Sequence, residues 1–159
     1  MPELLMHTIL GAGGVIANEL VKALGASGLP IRLVGRKPRA LGGSTTAVTT
    51  DLTQARQTID AVAGSSVVYL LAGLKYDHHL WQEAWPKIMR NAIGACERAT
   101  AKLIFFDNVY MYGRVAGPMT EETPFNPLQP QGRGSRASGD HAARRHENLP
   151  RHRLHHALG

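Results

Sequence analysis

Close to the N-terminus an apolar run, His7-Thr8-Ile9-Leu10, gives way to Gly11-Ala12-Gly13-Gly14-Val15-Ile16-Ala17. A glycine-rich turn between a buried strand and a helix is compatible with few folds. Gly11 permits the tight strand-to-helix turn. Gly13 and Gly14 remove side chains where a pyrophosphate would have to approach the backbone, and the small Ala17 lets the helix pack close to the strand. The helix N-terminus that follows Val15 and Ile16 adds unpaired N–H groups and the positive end of a dipole, which makes these two residues candidates for cofactor binding. The segment therefore predicts a dinucleotide site at the carboxyl end of the first strand.

The chain beyond it alternates strand-like and helix-like stretches. Strands are expected at His7–Leu10, Ile31–Val34, 47–50, 67–71 and 103–106. Helices are expected over 17–24, with Leu20, Val21 and Leu24 on one face, and over 52–62. In the longest helix Trp81, Trp85, Ile88, Met89, Ala92, Ile93 and Cys96 recur at three- and four-residue steps, which assigns both tryptophans to a core. Pro86 suits a first turn or a kink. The alternation predicts an α/β fold, a doubly wound parallel sheet of the Rossmann type, with ligands at the strand carboxyl ends.

Composition narrows the class. At 159 residues the chain holds one domain with a core, and no apolar run reaches the ~20 residues of a membrane span. The start of the chain lacks a secretory signal pattern, and one cysteine, Cys96, cannot form an internal disulfide, so a cytoplasmic location is expected. Residues 128–159 carry four of the six net positive charges and contain no Val, Ile, Phe, Tyr, Trp, Met, Thr or Lys. That composition predicts a disordered basic tail following an incomplete dinucleotide-binding domain at 1–127. A one-base shift after Pro127 is an alternative origin for it, since the codons can then spell a lysine-containing loop and an amphipathic helix. Nucleic-acid binding is disfavoured, because no aromatics accompany the tail arginines. His152, His155 and His156 have no neighbouring acid, so no metal site is expected.

Further motifs follow in order: Asp51-Leu52 after the third strand, Leu71-Ala72-Gly73 after the fourth, Asn108-Val109-Tyr110-Met111-Tyr112-Gly113 after the fifth, then Thr120-Glu121-Glu122-Thr123-Pro124. With the glycine turn, this set resembles the NAD-dependent epimerase/dehydratase family of extended short-chain dehydrogenases, over residues 4–127. The resemblance implies that Asp51 and Leu52 meet the adenine and that Leu71, Ala72 and Gly73 line the cofactor. It also implies a nucleotide-sugar or similar carbonyl/alcohol substrate, and a homodimer through the long helix.

At the end of the second strand, where NAD-preferring folds carry an acid, the chain has Gly35-Arg36-Lys37. Arg36 and Lys37 suit a 2′-phosphate, so the expected cofactor is NADP, with NAD as the alternative. Chemistry in the resembled family rests on a Ser or Thr and a Tyr-x-x-x-Lys pair. Asn108 stands where the Ser would be. No tyrosine here is followed four residues on by lysine, and Tyr110 with Arg114 is the nearest imitation. Two functions remain open: the cofactor-binding part of an epimerase, dehydratase or reductase, or a non-catalytic dinucleotide-binding sensor.

Overall fold

The computed structural model describes residues 5–74, 78–107, 112–124, 126 and 154–158. Among the described residues, nine elements follow in chain order: β1 (His7–Leu10), α1 (Val15–Ala26), β2 (Ile31–Gly35), β3 (Thr45–Thr49), α2 (Ala55–Val62), β4 (Val67–Leu70), α3 (His78–Ala99), β5 (Lys102–Asp107) and β6 (Leu154–Leu158). Every strand pairing is parallel, and the sheet order is β3-β2-β1-β4-β5-β6. Going outward from β1, the chain builds β2 and β3 on one side and β4 and β5 on the other. This is the doubly wound arrangement, and it opens a crevice at the carboxyl ends of β1 and β4.

Two apolar layers hold the sheet. On one face Leu10, Val34, Val68, Leu70, Leu103 and Phe105 pack against Val62 of α2 and Trp85, Ile88, Met89, Ala92 and Ile93 of α3. On the other, Ile9, Ile31 and Leu33 meet Ala17 and Val21 of α1. Both tryptophans serve the core as expected: their rings lie 5.2 Å apart, and Trp85 is 5.9 Å from Phe105. Fully burying a side chain such as Phe105 contributes about 2–3 kcal/mol.

Helix ends are fixed by specific groups. Arg32, reaching across from β2, donates from Nη1 to the carbonyls of Ala61 (2.9 Å) and Ala63 (2.8 Å), which otherwise end α2 without partners. Asn91 of α3 donates to the Leu52 carbonyl at 2.9 Å and ties the loop before α2 to the long helix. α3 ends with Thr100 in the left-handed region (φ 56°), while the Ala101 amide returns to the Cys96 carbonyl at 2.9 Å. Pro86 lies well inside α3 rather than in its first turn. The carbonyl it leaves unpaired belongs to Gln82 on the exposed face, where water can replace the lost bond.

Boundaries moved modestly. α1 starts at Val15, earlier than expected, and α2 at Ala55, later, because residues 51–54 form the turn around Asp51. One short piece of the tail expected to be disordered pairs with the sheet. Leu154–Leu158 adds a sixth strand to β5, in register Leu103↔Leu154 through Asp107↔Leu158. The β5 edge offers a row of N–H and C=O groups, and a main-chain ladder pairs with them without the β-branched residues that composition looks for.

Candidate functional site

The carboxyl ends of β1, β2, β3 and β4 converge on a cleft of about 580 Å³. Its floor is the glycine turn. The amides of Gly11 and Ala12 both donate to the Val34 carbonyl, at 2.9 and 3.0 Å, so the turn is pinned across β2. The Leu71 amide donates to the Leu10 carbonyl at 2.8 Å and brings the segment after β4 alongside. Gly11 has φ +104°, and a Cβ there would meet the Ala72 nitrogen at 2.4 Å. Only glycine fits.

The first intrahelical bond of α1 runs from the Asn18 amide to the Gly14 carbonyl (3.0 Å), and Gly14 supplies no side-chain cap. The amides of Val15, Ile16 and Ala17 therefore precede the first helical acceptor and remain available to an anion. Val15 and Ile16 are largely exposed, which suits residues contributing amides rather than side chains.

At the far end, the Thr50 amide donates to the Gly35 carbonyl (2.8 Å), so the ends of β2 and β3 stay together. Asp51 follows directly. Its Oδ1 accepts from the Thr53 hydroxyl (2.7 Å) and the Thr53 amide (2.9 Å). These two bonds, the hydroxyl's first, hold the carboxyl below the ordinary carboxylate range. Slight burial opposes them, and nearby Arg36 adds a smaller lowering. Asp51 is thus an ionised acceptor held in one orientation.

Of the residues expected at the site, Gly11, Gly14, Arg36, Asp51, Leu52, Leu71, Ala72 and Gly73 line this one cleft. Gly13, Val15, Ile16 and Lys37 do not. Gly13 and Lys37 line a smaller cleft of about 290 Å³ that shares Ala12 with the first, together with Arg39, and Val15 lines a groove along α1. Arg36 and Lys37, expected to act together, line different clefts, because the chain bends as it leaves β2 at Gly35. Asn108 and Tyr110 lie outside the described residues, as do the tail histidine His152 and the segment 127–153.

Another hollow, of about 710 Å³, is a groove along α1 lined by Val15, Leu29, Leu41 and Ser44. Its charged residues, Glu19 and Lys22, pair with each other at 2.6 Å. No strand carboxyl end opens into it with free polar groups, so the smaller cleft is the stronger candidate.

The sequence model of the NAD dependent epimerase/dehydratase family matches residues 7–147. The chain belongs to this family. Its fold agrees with that of known family-like enzymes. A mutated uronate dehydrogenase superimposes with TM-score 0.80 at 19% identity, covering 91% of this chain and 55% of the other. MoeE5 in complex with UDP-glucose and NAD gives 0.75 at 25% identity, covering 94% and 52%. The Thermus thermophilus UDP-glucose 4-epimerase complex with NAD gives 0.78 at 16% identity, covering 91% and 51%. This epimerase/dehydratase-family chain thus spans about half the length of those structures. No curated protein matches it.

Several residues that line the cleft were not singled out as site residues in the sequence: Ala12, Gly35, Thr50, Thr53, Leu74, Leu80, Ala84 and Ile88. Leu80, Ala84 and Ile88 stand at i, i+4 and i+8 on α3, a spacing that could have marked a stripe facing the cleft. Cys96, by contrast, is buried, and burial pushes its thiol up to about 12, which makes it an inert core residue. The outward face of α3 is polar, with Gln82, Glu83, Lys87, Arg90, Glu97 and Arg98 exposed. No helix among the described residues is long and apolar enough to cross a membrane, and they contain no cluster of metal-ligating side chains.

Proposed function

We propose that this chain is the cofactor-binding half of an NAD(P)-dependent epimerase, dehydratase or reductase acting on a nucleotide sugar or a similar carbonyl or alcohol substrate. One observation carries the reading: the glycine turn that leads into α1 (Gly11, Ala12 and Gly14), the Ala72 backbone against Gly11 and the oriented Asp51 all line a single cleft. The residues present fit a dinucleotide. The amides at Val15–Ala17 hold the pyrophosphate, and Asp51 accepts from the adenine amino group through the oxygen that Thr53 leaves free. Leu80, Ala84 and Ile88 cover the cleft from the α3 side and keep water from it. When bound, the nicotinamide supplies hydride transfer. UDP-glucose and NAD in the MoeE5 structure support the substrate class.

The segment 128–159 is read as a basic tail that follows the 1–127 domain and whose described part, Leu154–Leu158, pairs with β5, and an out-of-frame origin accounts for its composition. Sequencing the DNA from the Pro127 codon tests that origin, since another frame should continue into a substrate region. A second reading, a non-catalytic dinucleotide sensor, is favoured by the missing Tyr-x-x-x-Lys pair. The single buried thiol suits a cytoplasmic protein. Titrating NADH and NADPH by fluorescence, then assaying oxidation with UDP-sugars, tests the assignment. Binding with turnover supports the enzyme, binding alone supports the sensor, and no binding overturns both.

A further inference from the structure

We propose that β3, at one edge of the sheet, is a docking surface for a second copy of this chain, which pairs its own β3 antiparallel to the first across a two-fold axis at Ala47.

β3 has a strand neighbour on one side only, β2. The Ile31 amide donates to the Ser44 carbonyl (3.0 Å), and the Thr50 amide donates to the Gly35 carbonyl (2.8 Å). These two bonds bracket the ladder and fix its alternation. Ser44, Thr46, Val48 and Thr50 turn their main-chain groups toward β2, while Thr45, Ala47 and Thr49 turn theirs outward. The Thr45 amide is taken by the Gly42 carbonyl at 3.3 Å. The Thr45 carbonyl and the main-chain groups of Ala47 and Thr49 have no partner among the described residues.

Those outward groups complement themselves. In an antiparallel pairing centred on Ala47, that residue exchanges both bonds with Ala47 of the second copy, and each Thr49 amide meets the Thr45 carbonyl across the axis. A foreign strand could use the same groups, but only a second copy matches them from both sides at once. Ala47 is small and exposed, so no side chain obstructs the axis. The groove along α1 reaches this edge at Thr45 and at Leu41, which is 53% exposed, and a second copy adds apolar cover there.

Edge strands commonly carry a device against such pairing, such as a lysine, a proline or a bulge. β3 carries none of them. Residues 40–50 hold no charge and no proline, and the β2–β3 register runs unbroken from Thr45 to Thr49. Its threonines and valine suit an extended partner. The chain has a net charge of +6, which pushes copies apart wherever basic surfaces meet. At this uncharged edge they approach without that local repulsion.

Sedimentation equilibrium of the full chain, from about 1 μM to about 500 μM, tests this. A reversible monomer–dimer equilibrium is expected, with Kd of about 1–100 μM, as suits a contact of small area. Ala47→Lys sets two ammonium groups opposite each other at the axis and should weaken the dimer about fivefold or more, with Tm unchanged because the site is exposed. Ala47→Glu alone should do the same. An equimolar mixture of the two variants should restore the dimer, a rescue that a damaged fold could not give. A parent that stays monomeric, a dimer that Ala47→Lys leaves intact because it forms through α3 or another edge, or a mixture that stays monomeric would overturn the proposal.

Discussion

Gly11 and Ala72 touch backbone to backbone: a Cβ on Gly11 would stand 2.4 Å from the Ala72 nitrogen and 2.5 Å from its Cα. The turn after β1 and the segment after β4 therefore form one surface, with no side chain between a bound phosphate and the main chain. Substituting Gly11→Ala must move that backbone and also hold alanine at φ +104°. We expect a loss of about 2–4 kcal/mol, from overpacking and left-handed strain together, measured by urea denaturation.

Gly14 separates folding from binding. A Cβ there meets nothing within 4 Å, and the residue caps α1 without a side-chain bond. Gly14→Asp should leave stability unchanged or raise it by a few tenths of a kcal/mol, because aspartate is a good N-cap. The same carboxylate would repel a pyrophosphate, so NADH and NADPH affinity should fall at least about tenfold. Thermal melts and fluorescence titration on the same sample read both effects. A variant that binds as tightly as the parent would place the phosphates elsewhere.

Thr100 ends α3 with φ 56°, a conformation costly for a β-branched residue. Thr100→Gly should stabilise the protein by about 1 kcal/mol, seen as a higher Tm. A lower Tm would mean that the threonine side chain supplies something its backbone strain conceals.

His7 sets a pH dependence. It is buried on β1, its Nδ1 lies 3.1 Å from the Tyr69 hydroxyl, and burial lowers its pKa below the ordinary value. The unfolded chain takes up this proton first as pH falls, near 6.5, so it binds more protons than the folded chain there. The contribution of His7 to stability is therefore complete above about pH 6.5 and declines below it, by at most about 1.4 kcal/mol per pH unit. Melts from pH 7.5 to 5.5 should show a steeper fall for the parent than for His7→Gln. Parallel curves would remove His7 as the cause.

The sheet was legible because its signals are periodic and local. His7–Leu10 stands as expected, and the Trp81–Cys96 spacing identified the buried face of α3. The glycine turn, Asp51 and Leu71–Gly73 come together in one cleft because each follows a strand end, and strand ends share one rim of the sheet. Less local facts were not readable. That Arg36 and Lys37 face different clefts depends on how the chain leaves β2, and that Leu80 and Ala84 reach the site depends on how α3 crosses the sheet. The short strand Leu154–Leu158 was hidden because its pairing is a property of the main chain and of the β5 edge beside it.

Backbone amide NMR during titration with NADPH is the decisive test that the cleft at the strand carboxyl ends holds a dinucleotide. Saturable shifts are expected at Gly13–Ala17, at Asp51–Thr53 and at Leu71–Gly73, with the rest of the sheet quiet. Shifts confined to the groove along α1, around Leu29, Leu41 and Ser44, or no saturable shifts at all, would contradict a dinucleotide in that cleft.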